Sequence, residues 1–190
     1  MVDLVLASSS PRRRLLLERL GVTPARVASP DIDETPLKAE IPRAYALRLA
    51  LAKARAVARA PGEIVLAGDT TVALGRRILP PAATEAIQRD LLGKLSGRRH
   101  HVVSAICVID AEGRARTKVA DTVVAFKPLS PAEIDAYVAW REGLGKAGGY
   151  AIQGYAEAFV RFLAGSHSGV IGLPLFETRA LLGWAGLPLA

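Results

Sequence analysis

A run of twelve residues, EIVLAGDTTVAL from Glu63 to Leu74, is apolar enough to form a long strand inside a sheet, yet it carries an aspartate near its centre. Aspartate is depleted in strands, and an ionised carboxylate among buried neighbours is costly unless a cation or several hydrogen-bond donors meet it. Two interpretations follow. Either Gly68 marks a bulge that turns Asp69 to solvent, or Asp69 is paired with a metal or acts as a base.

Strand and helix patterns alternate on both sides of this run. The segment from Val2 to Ala7 predicts a strand, and Pro11 begins a helix that Gly21 ends, with Leu15, Leu16 and Leu20 as its buried face. The other predicted elements are a strand at 26–29, helices at 42–60 and about 84–95, a hairpin of strands from 100–110 and 114–129, a helix capped at 130, a strand at 159–163, a turn at 165–169 and a helix at 173–182.

Length and composition restrict the class of protein. A chain of 190 residues that is 51% hydrophobic predicts a single domain covering residues 1–190 that folds by itself. No apolar run approaches the roughly 20 residues that cross a bilayer, and Asp3 stands where a secretory signal would have a basic residue, so we expect a cytoplasmic protein without membrane contact. The single cysteine, Cys107, fits a buried strand, and the adjacent His100 and His101 would point to opposite faces of a strand instead of sharing a metal.

Both signs of charge are clustered along a chain whose formal net charge is +7. Arginines occur in runs at residues 12–14, 76–77 and 98–99, whereas acidic residues cluster at 31–34. Aromatic residues make up 5% of the chain and none interleaves with the arginine runs, so we expect no stable complex with nucleic acid. A compact anion that arrives with a divalent cation would use both clusters, and a nucleoside triphosphate fits that description.

Three cations stand out by position. Arg12 and Arg13 fall in the first turn of the first helix, where they oppose the helix dipole, so they are either solvated or face an anion. Lys53 lies beside the apolar stripe of the helix at 42–60, where a lone lysine is usually solvated.

The glycine-rich segment GLGKAGGYAIQG is not a phosphate-binding P-loop, because Ala147 instead of Ser or Thr follows Lys146. Its glycines favour a close approach of the backbone to another group, and Gln153 is either a surface amide or a donor and acceptor for a base edge.

Seven segments occur in one order along the chain: LASSSPRRRLLL, DIDET, LALAKARA, GDTTV, LSGRRHHV, GKAGGYAIQG and GLPLFET. In this order the sequence resembles the Maf family of nucleoside triphosphate pyrophosphatases over nearly its whole length. The resemblance implies an ITPase-like α/β fold, with a long mixed β-sheet flanked by helices and two lobes around a central nucleotide cleft. It also implies hydrolysis of dTTP and UTP, with modified pyrimidine nucleotides as further substrates, to the nucleoside monophosphate and pyrophosphate.

The same resemblance implies the site residues. Asp69 would be the catalytic carboxylate, and the cleft would be lined by Ser8, Arg12, Arg13, Glu34, Lys53 and Gln153. Arg13, Thr70 and Gln153 match the positions associated with pyrimidine selection. Glu34 and Asp69 would hold Mg²⁺ or Mn²⁺, and Asp69 would either accept the proton of the attacking water or position the metal.

The sequence departs from the family pattern at Pro81, which stands where a lysine is usual, and at Ser104, where threonine is commoner. Loss of a cation would slow turnover, and we hypothesise that Arg76 or Arg77 replaces it. The alternative function is a weakly active or non-catalytic nucleotide-binding regulator of septum formation, since the family is also linked to cell-division arrest. A homodimer is compatible with either function.

Overall fold

The run around Asp69 forms one strand in a computed structural model that describes residues 3–189. The strands are β1 (Asp3–Ala7), β2 (Arg26–Ala28), β3 (Glu63–Leu74), β4 (Arg77–Leu79), β5 (Arg99–Ile109), β6 (Ala115–Phe126) and β7 (Val160–Ala164). The helices are α1 (Pro11–Glu18), α2 (Pro42–Ala56), α3 (Glu85–Leu95), α4 (Pro131–Ala139), α5 (His167–Ile171) and α6 (Leu175–Trp184), with a 3-10 helix at Tyr155–Phe159.

All seven strands belong to one mixed sheet, in the order β2-β1-β3-β5-β6-β7, with β4 paired to β3. β1 is parallel to β2 and β3, whereas β3, β5, β6 and β7 are successively antiparallel. The sheet and its flanking helices confirm the predicted α/β fold with a long mixed sheet.

The sheet opens beside Asp69. Pairing between β1 and β3 ends at Ala67, and pairing between β3 and β4 begins only at Val72. Within residues 3–189, β3 therefore has β5 on one edge between these two positions and no strand on the other. A ligand can approach the centre of the sheet through this opening.

The face of the sheet that carries Asp69 is covered by α2. Ala46, Ala50 and Ala54 of this helix pack with Ala67 and Ala105 of the sheet in one buried cluster. Because alanine side chains are small, the helix axis lies close to the strands, and a long side chain from α2 reaches the middle of β3. The larger side chains of the core lie in a second cluster that includes Leu16, Leu17, Leu92, Ile106 and Phe126.

Several predicted boundaries and faces differ from the structure. Val2, the first residue of the first predicted strand, lies outside the described residues. The helix predicted over 42–60 ends at Ala56, because Val57 is already extended at φ −91° and ψ 123°. Leu15 is 55% exposed, and the buried face of α1 is formed by Arg13, Leu16 and Leu17. The predicted face is therefore confirmed for Leu16 and for Leu20, which is partly buried against the core, and is wrong for Leu15, while Arg13 and Leu17 complete the buried side.

The predicted turn at 165–169 is wrong in part, because a short helix begins within it. The Ser166 hydroxyl accepts a hydrogen bond from the Gly169 N–H and caps α5. The hairpin of β5 and β6 and the capping box of Ser130 and Glu133 are confirmed. No helix within residues 3–189 has both the length and the apolar character needed to cross a membrane.

His100 is fully buried on β5 and its neighbour His101 is exposed, as predicted for adjacent residues of a strand. The His100 ring lies edge-on to Phe126 and Tyr150, and its Nε2 is 2.8 Å from the Tyr150 hydroxyl. Its Nδ1 has no hydrogen-bond partner. Burial, and secondarily the charge of His101, lowers the pKa of His100 to about 4. The ring is therefore neutral in the folded protein at neutral pH.

This buried histidine predicts acid sensitivity. Below pH 6.5 the unfolded chain binds a proton at His100 that the folded chain binds only near pH 4. Between pH 6.5 and about 4, the free energy of unfolding should therefore fall by about 1.4 kcal/mol for each unit by which the pH is lowered. Because burial lowers the pKa of His100, the fold has its full stability above pH 6.5 and loses stability as the pH falls toward 4. Chemical denaturation of the wild-type protein and of His100→Gln between pH 8 and 5 measures the difference.

The exposed His167 provides the matched control, because His167→Gln should retain the wild-type slope. The carboxyl groups of Glu63 and Glu133, with pKa values lowered to about 2, lose their contributions only below about pH 4.5. Equal slopes for wild-type and His100→Gln would contradict the assignment.

Candidate active site

The Asp69 carboxylate is 6% exposed and lies in the opening of the sheet, so the bulge that would have turned it to solvent is not formed. Its Oδ1 accepts a hydrogen bond from the Lys53 ammonium at 2.8 Å, and its Oδ2 accepts one from the Thr71 hydroxyl at 3.1 Å. Asp69 and Thr71 are two residues apart on the strand and thus share a face. Both carboxylate oxygens are held in fixed directions.

Lys53 links two acidic side chains. Its Nζ lies 2.8 Å from Asp69 Oδ1 and 2.9 Å from Glu34 Oε1, although Lys53 and Asp69 are buried and Glu34 is largely exposed. The interpretation of Lys53 as a solvated lysine is therefore wrong, because α2 directs it toward the buried carboxylate. The carboxylates of Asp69 and Glu34 therefore share one partner, the Lys53 ammonium.

The loop that carries Glu34 is fixed from α2. The Tyr45 hydroxyl donates to the Glu34 carbonyl at 2.8 Å, and the Arg48 guanidinium forms a two-point ion pair with Glu40 at 2.7 Å. Burial, followed by the charges of Asp69 and Glu34, raises the pKa of Tyr45 to about 12, so this hydroxyl stays a donor. The acidic loop is thereby held next to the opening of the sheet.

A cavity of about 180 Å³ lies beside Asp69, and we call it the cationic cavity. Arg12, Arg13 and Lys146 contribute to its lining, together with Thr70 and Gln153. Within residues 3–189, no carboxylate lies within ion-pair distance of any of these three cations. Such a group of like charges favours an anionic ligand.

The two arginines of α1 are directed into this cavity by the far end of the chain. Arg13 is 9% exposed and donates to the Gly172 carbonyl at 2.8 Å, and Arg12 donates to the Ile171 carbonyl at 3.2 Å. Burial lowers the pKa of both guanidinium groups, and Asp69 opposes this effect at Arg13. The solvated alternative is therefore wrong for both arginines.

Ser8 is a hydrogen-bond partner of the Arg13 guanidinium. The serine is 4% exposed, and its hydroxyl oxygen accepts hydrogen bonds from Arg13 Nη1 at 3.0 Å and from the Ser10 N–H at 3.2 Å. Ser10, rather than Ser8, lines the cationic cavity. In this arrangement Ser8 orients the guanidinium group.

The residues expected to select the base lie on the same cavity. The Thr70 hydroxyl is 2.9 Å from the Ser104 hydroxyl, which donates to the Gly169 carbonyl at 2.6 Å. Arg13 and Gln153 also line this cavity, and the Gln153 side chain is exposed at it. The tertiary structure therefore brings Arg13, Thr70 and Gln153 together from three distant parts of the chain.

A second cavity of about 520 Å³ adjoins the first, and we call it the apolar cavity. Pro36, Leu37 and Ile78 contribute apolar walls, and Glu34 and Arg76 contribute charge. Asp69, Thr70, Pro81 and Ala147 line both cavities. The wall between the cavities thus contains the buried carboxylate.

Sequence reasoning missed Thr71, Tyr45 and Lys146. Thr71 is detectable from the two-residue period of a strand, since it follows Asp69 at that spacing. Tyr45 and Lys146 have no such local signal, because their positions depend on the packing of the acidic loop and the glycine-rich segment against β3.

The described residues contain no group of three or more His, Cys, Asp or Glu side chains that could by itself hold a metal ion. Cys107 lies on the α2 face of the sheet, and burial raises the pKa of its thiol to about 11. This thiol is therefore a structural side chain instead of a nucleophile at neutral pH.

A family model and curated relatives match almost the whole chain. Residues 3–185 match the family described as Maf-like protein. The chain is 69% identical over 189 residues to the dTTP/UTP pyrophosphatase of Sphingopyxis alaskensis, with 100% of both chains covered. It is 61% identical over 186 residues to the dTTP/UTP pyrophosphatase of Novosphingobium aromaticivorans, with 97% of this chain and 92% of the relative covered. Among solved structures, the Ham1 protein of Staphylococcus aureus has a TM-score of 0.48 and 17% identity, covering 65% of this chain and 71% of that one.

The buried pair of Lys53 and Asp69 predicts a coupled loss of stability. Lys53→Met should lower the free energy of unfolding by about 3 kcal/mol, because it leaves a buried carboxylate without its cation. In the double variant with Asp69→Asn, the loss should be smaller than the sum of the single losses by about 1–3 kcal/mol. Urea denaturation of the four proteins measures this coupling.

Arg55→Met is the control on the same helix, because Arg55 is exposed and should change stability by less than about 0.5 kcal/mol. Additive losses in the double variant would show that the two groups do not stabilise each other.

Proposed function

This chain belongs to the Maf-like protein family, and we propose that it hydrolyses dTTP and UTP to the nucleoside monophosphate and pyrophosphate. Relatives with 69% and 61% identity that carry the name dTTP/UTP pyrophosphatase support this substrate pair. One observation carries the proposal: a buried carboxylate, Asp69, lies in the wall between two cavities, and one cavity is lined by Arg12, Arg13 and Lys146, none of which forms an ion pair within residues 3–189.

The arginines and Lys53 act on the charge of the triphosphate. Cleavage between the α and β phosphates leaves negative charge on departing pyrophosphate, so fixed cations lower the barrier. Arg12 and Arg13 bind phosphate oxygens from the cationic cavity, with Ser8 and the Gly172 carbonyl fixing the Arg13 guanidinium in place. Lys53 lines neither cavity, and it acts from the α2 face by offsetting the charge of Asp69 and Glu34, which would otherwise repel the triphosphate.

Asp69 acts on the attacking water. Its two oxygens accept one hydrogen bond each from Lys53 and Thr71, and each oxygen keeps a lone pair for a further donor. A water in the cavity donates to this carboxylate, attacks phosphorus, and passes its proton to Asp69 as the bond to pyrophosphate breaks. The fixed direction of the carboxylate positions the water before reaction.

The donor set fits a divalent cation. The carboxylates of Glu34 and Asp69 both contact the Lys53 ammonium and therefore lie close together. Mg²⁺ or Mn²⁺ is commonly bound by one or two carboxylates together with substrate phosphates and water. Glu34 and Asp69 would hold the ion. When bound, such an ion neutralises phosphate charge and lowers the pKa of its water.

Selection of the pyrimidine base rests on Gln153, Thr70 and Arg13. The exposed Gln153 amide offers a donor and an acceptor to a base edge at the cationic cavity. A base with the wrong hydrogen-bonding edge would leave these side chains without partners in the complex, and it would therefore bind more weakly. Modified pyrimidine nucleotides with the same edge belong to the proposed substrate class.

Other sequence-based expectations stay predictions. They are a cytoplasmic location, a homodimer, the lack of a stable nucleic-acid complex, a linked role in cell-division arrest, and the arrangement of one domain as two lobes around a cleft. The alternative of a regulator without activity is separated from the enzyme by the first assay below.

Asp69→Asn should reduce the release of pyrophosphate from dTTP by about 10²–10⁴-fold, because the amide cannot take the proton of the attacking water. The measurement is pyrophosphate release from a panel of nucleoside triphosphates with Mg²⁺ or Mn²⁺, with circular dichroism to verify the fold. Asp90→Asn on the exposed face of α3 is the matched control. Full turnover by Asp69→Asn would remove this carboxylate from the mechanism.

Gln153→Ala should lower kcat/KM for dTTP and UTP by roughly 10- to 100-fold and lower kcat/KM for dATP much less, so that the preference for pyrimidine nucleotides decreases. Gln153→Glu, which keeps the size but removes the amide donor, should also decrease this preference. The same nucleotide panel gives both ratios. If the preference for pyrimidines were unchanged in both variants, base selection would have to come from other residues.

A further inference from the structure

Lys146 lies in the glycine-rich segment, at the cationic cavity. It is half-buried and lines the cavity together with Arg12 and Arg13. Sequence reasoning assigned it no function, because its surroundings do not form a phosphate-binding loop. The tertiary structure nevertheless places its side chain with the two arginines that the proposed function assigns to phosphate.

Lys146 forms no ion pair within residues 3–189, although the more distant charge of Glu142 acts on it and opposes the lowering of its pKa. Its ammonium donates to the backbone carbonyl of Glu142. Burial, followed by repulsion from Arg12, lowers the pKa of Lys146. An anion in the cavity would relieve both effects, because it would bring opposite charge to all three cations.

The backbone around Lys146 is fixed against the segment that follows β4. The Ala82 N–H donates to the Lys146 carbonyl at 3.1 Å, the Gly145 N–H donates to the Ala82 carbonyl at 2.9 Å, and Pro81 forms an isolated bridge with Ala147. Gly148 completes the turn at φ +70°, where an added Cβ would lie 2.9 Å from Val72 Cγ1. The lysine is therefore presented from a rigid support.

Arg76 and Arg77 occupy different places. Arg76 is exposed and lines the apolar cavity, whereas Arg77 is exposed on β4 and contributes to neither cavity wall. Among the cations of residues 3–189, Lys146 is the one that lines the cationic cavity together with Arg12 and Arg13, and the residue after it is paired with Pro81.

We propose that Lys146 is a substrate-binding residue that contacts the triphosphate, as the third cation of the cationic cavity and at the position next to Pro81. This inference rests on the proposed function for the identity of the anion. The contact is with the part of the substrate that leaves as pyrophosphate, so inorganic pyrophosphate alone should bind to the same lysine.

Lys146→Met should lower kcat/KM for dTTP by roughly 10- to 100-fold and weaken calorimetric binding of inorganic pyrophosphate by a similar factor. Lys146→Arg should retain most of both. Lys118→Met removes the same charge from an exposed position of β6 and should match the wild-type protein. Thermal unfolding of each variant shows whether the turn is intact.

A lysine introduced at position 81 tests whether the charge is needed at this place in the cavity. In the wild-type background, Pro81→Lys should change kcat/KM for dTTP by less than about threefold, because Lys146 already supplies the charge. In the Lys146→Met background, the same substitution should raise kcat/KM at least tenfold. Recovery in this double variant would not be expected if the loss came from a disrupted turn.

Three results would overturn the inference. They are a Lys146→Met variant as active as the wild type, a loss that neither Lys146→Arg nor Pro81→Lys restores, and a loss of pyrimidine preference without weaker binding of pyrophosphate. Failure of the proposed function looks different, because the wild-type protein would then release no pyrophosphate from dTTP or UTP while its binding of inorganic pyrophosphate would still report on Lys146.

Discussion

The buried ion pair between Lys53 and Asp69 is the interaction on which the arrangement of the site depends. An aspartate in the interior of a seven-stranded sheet requires a cation, and α2 provides one at 2.8 Å from Asp69 Oδ1. The alanine face of α2 allows the helix to lie close enough for this contact. Because the same ammonium also holds Glu34, one lysine connects the sheet, the helix and the acidic loop. A buried pair is costly to desolvate, so its retention here agrees with a functional carboxylate more readily than with a stabilising one.

The opening of the sheet explains why this pair is accessible to a substrate. β1 leaves β3 after Ala67, and its chain continues through Ser8 into α1, which carries Arg12 and Arg13 toward the opening. On the other side, the glycine-rich segment pairs with Pro81 and brings Lys146 to the same cavity. The end of one strand, the start of one helix and one turn therefore surround Asp69. The helix contributes Arg12 and Arg13 and the turn contributes Lys146, and this positive charge is what a reaction that releases pyrophosphate requires.

The buried network behind the site fixes the glycine-rich segment. The Gln88 amide donates to the Gly149 carbonyl at 3.1 Å, and His100 is hydrogen-bonded to Tyr150. Lys146 and Gln153 lie on either side of these two anchored residues and reach the cavity from one rigid piece of chain. The buried histidine that makes the fold acid-sensitive therefore also contacts the segment that carries Lys146 and Gln153.

The sequence by itself determined the elements and the residue types. The apolar run at β3, the hairpin of β5 and β6 and the capping box of α4 are local patterns, since strand alternation and helix capping depend on neighbouring residues. The ordered motifs also indicated the family, and with it Asp69 and the residues expected around it. Only the tertiary structure decided which of these side chains meet. Lys53 and Asp69 are 16 residues apart, Arg13 and Gly172 are 159 apart, and no periodicity reports contacts over such separations. The same limit explains why the burial of Arg13 and the exposure of Leu15 on α1 were not predicted, because the hydrogen bond from Arg13 to Gly172 holds the arginine inside. It also explains the unassigned Lys146, whose neighbours come from α1 and from the segment after β4.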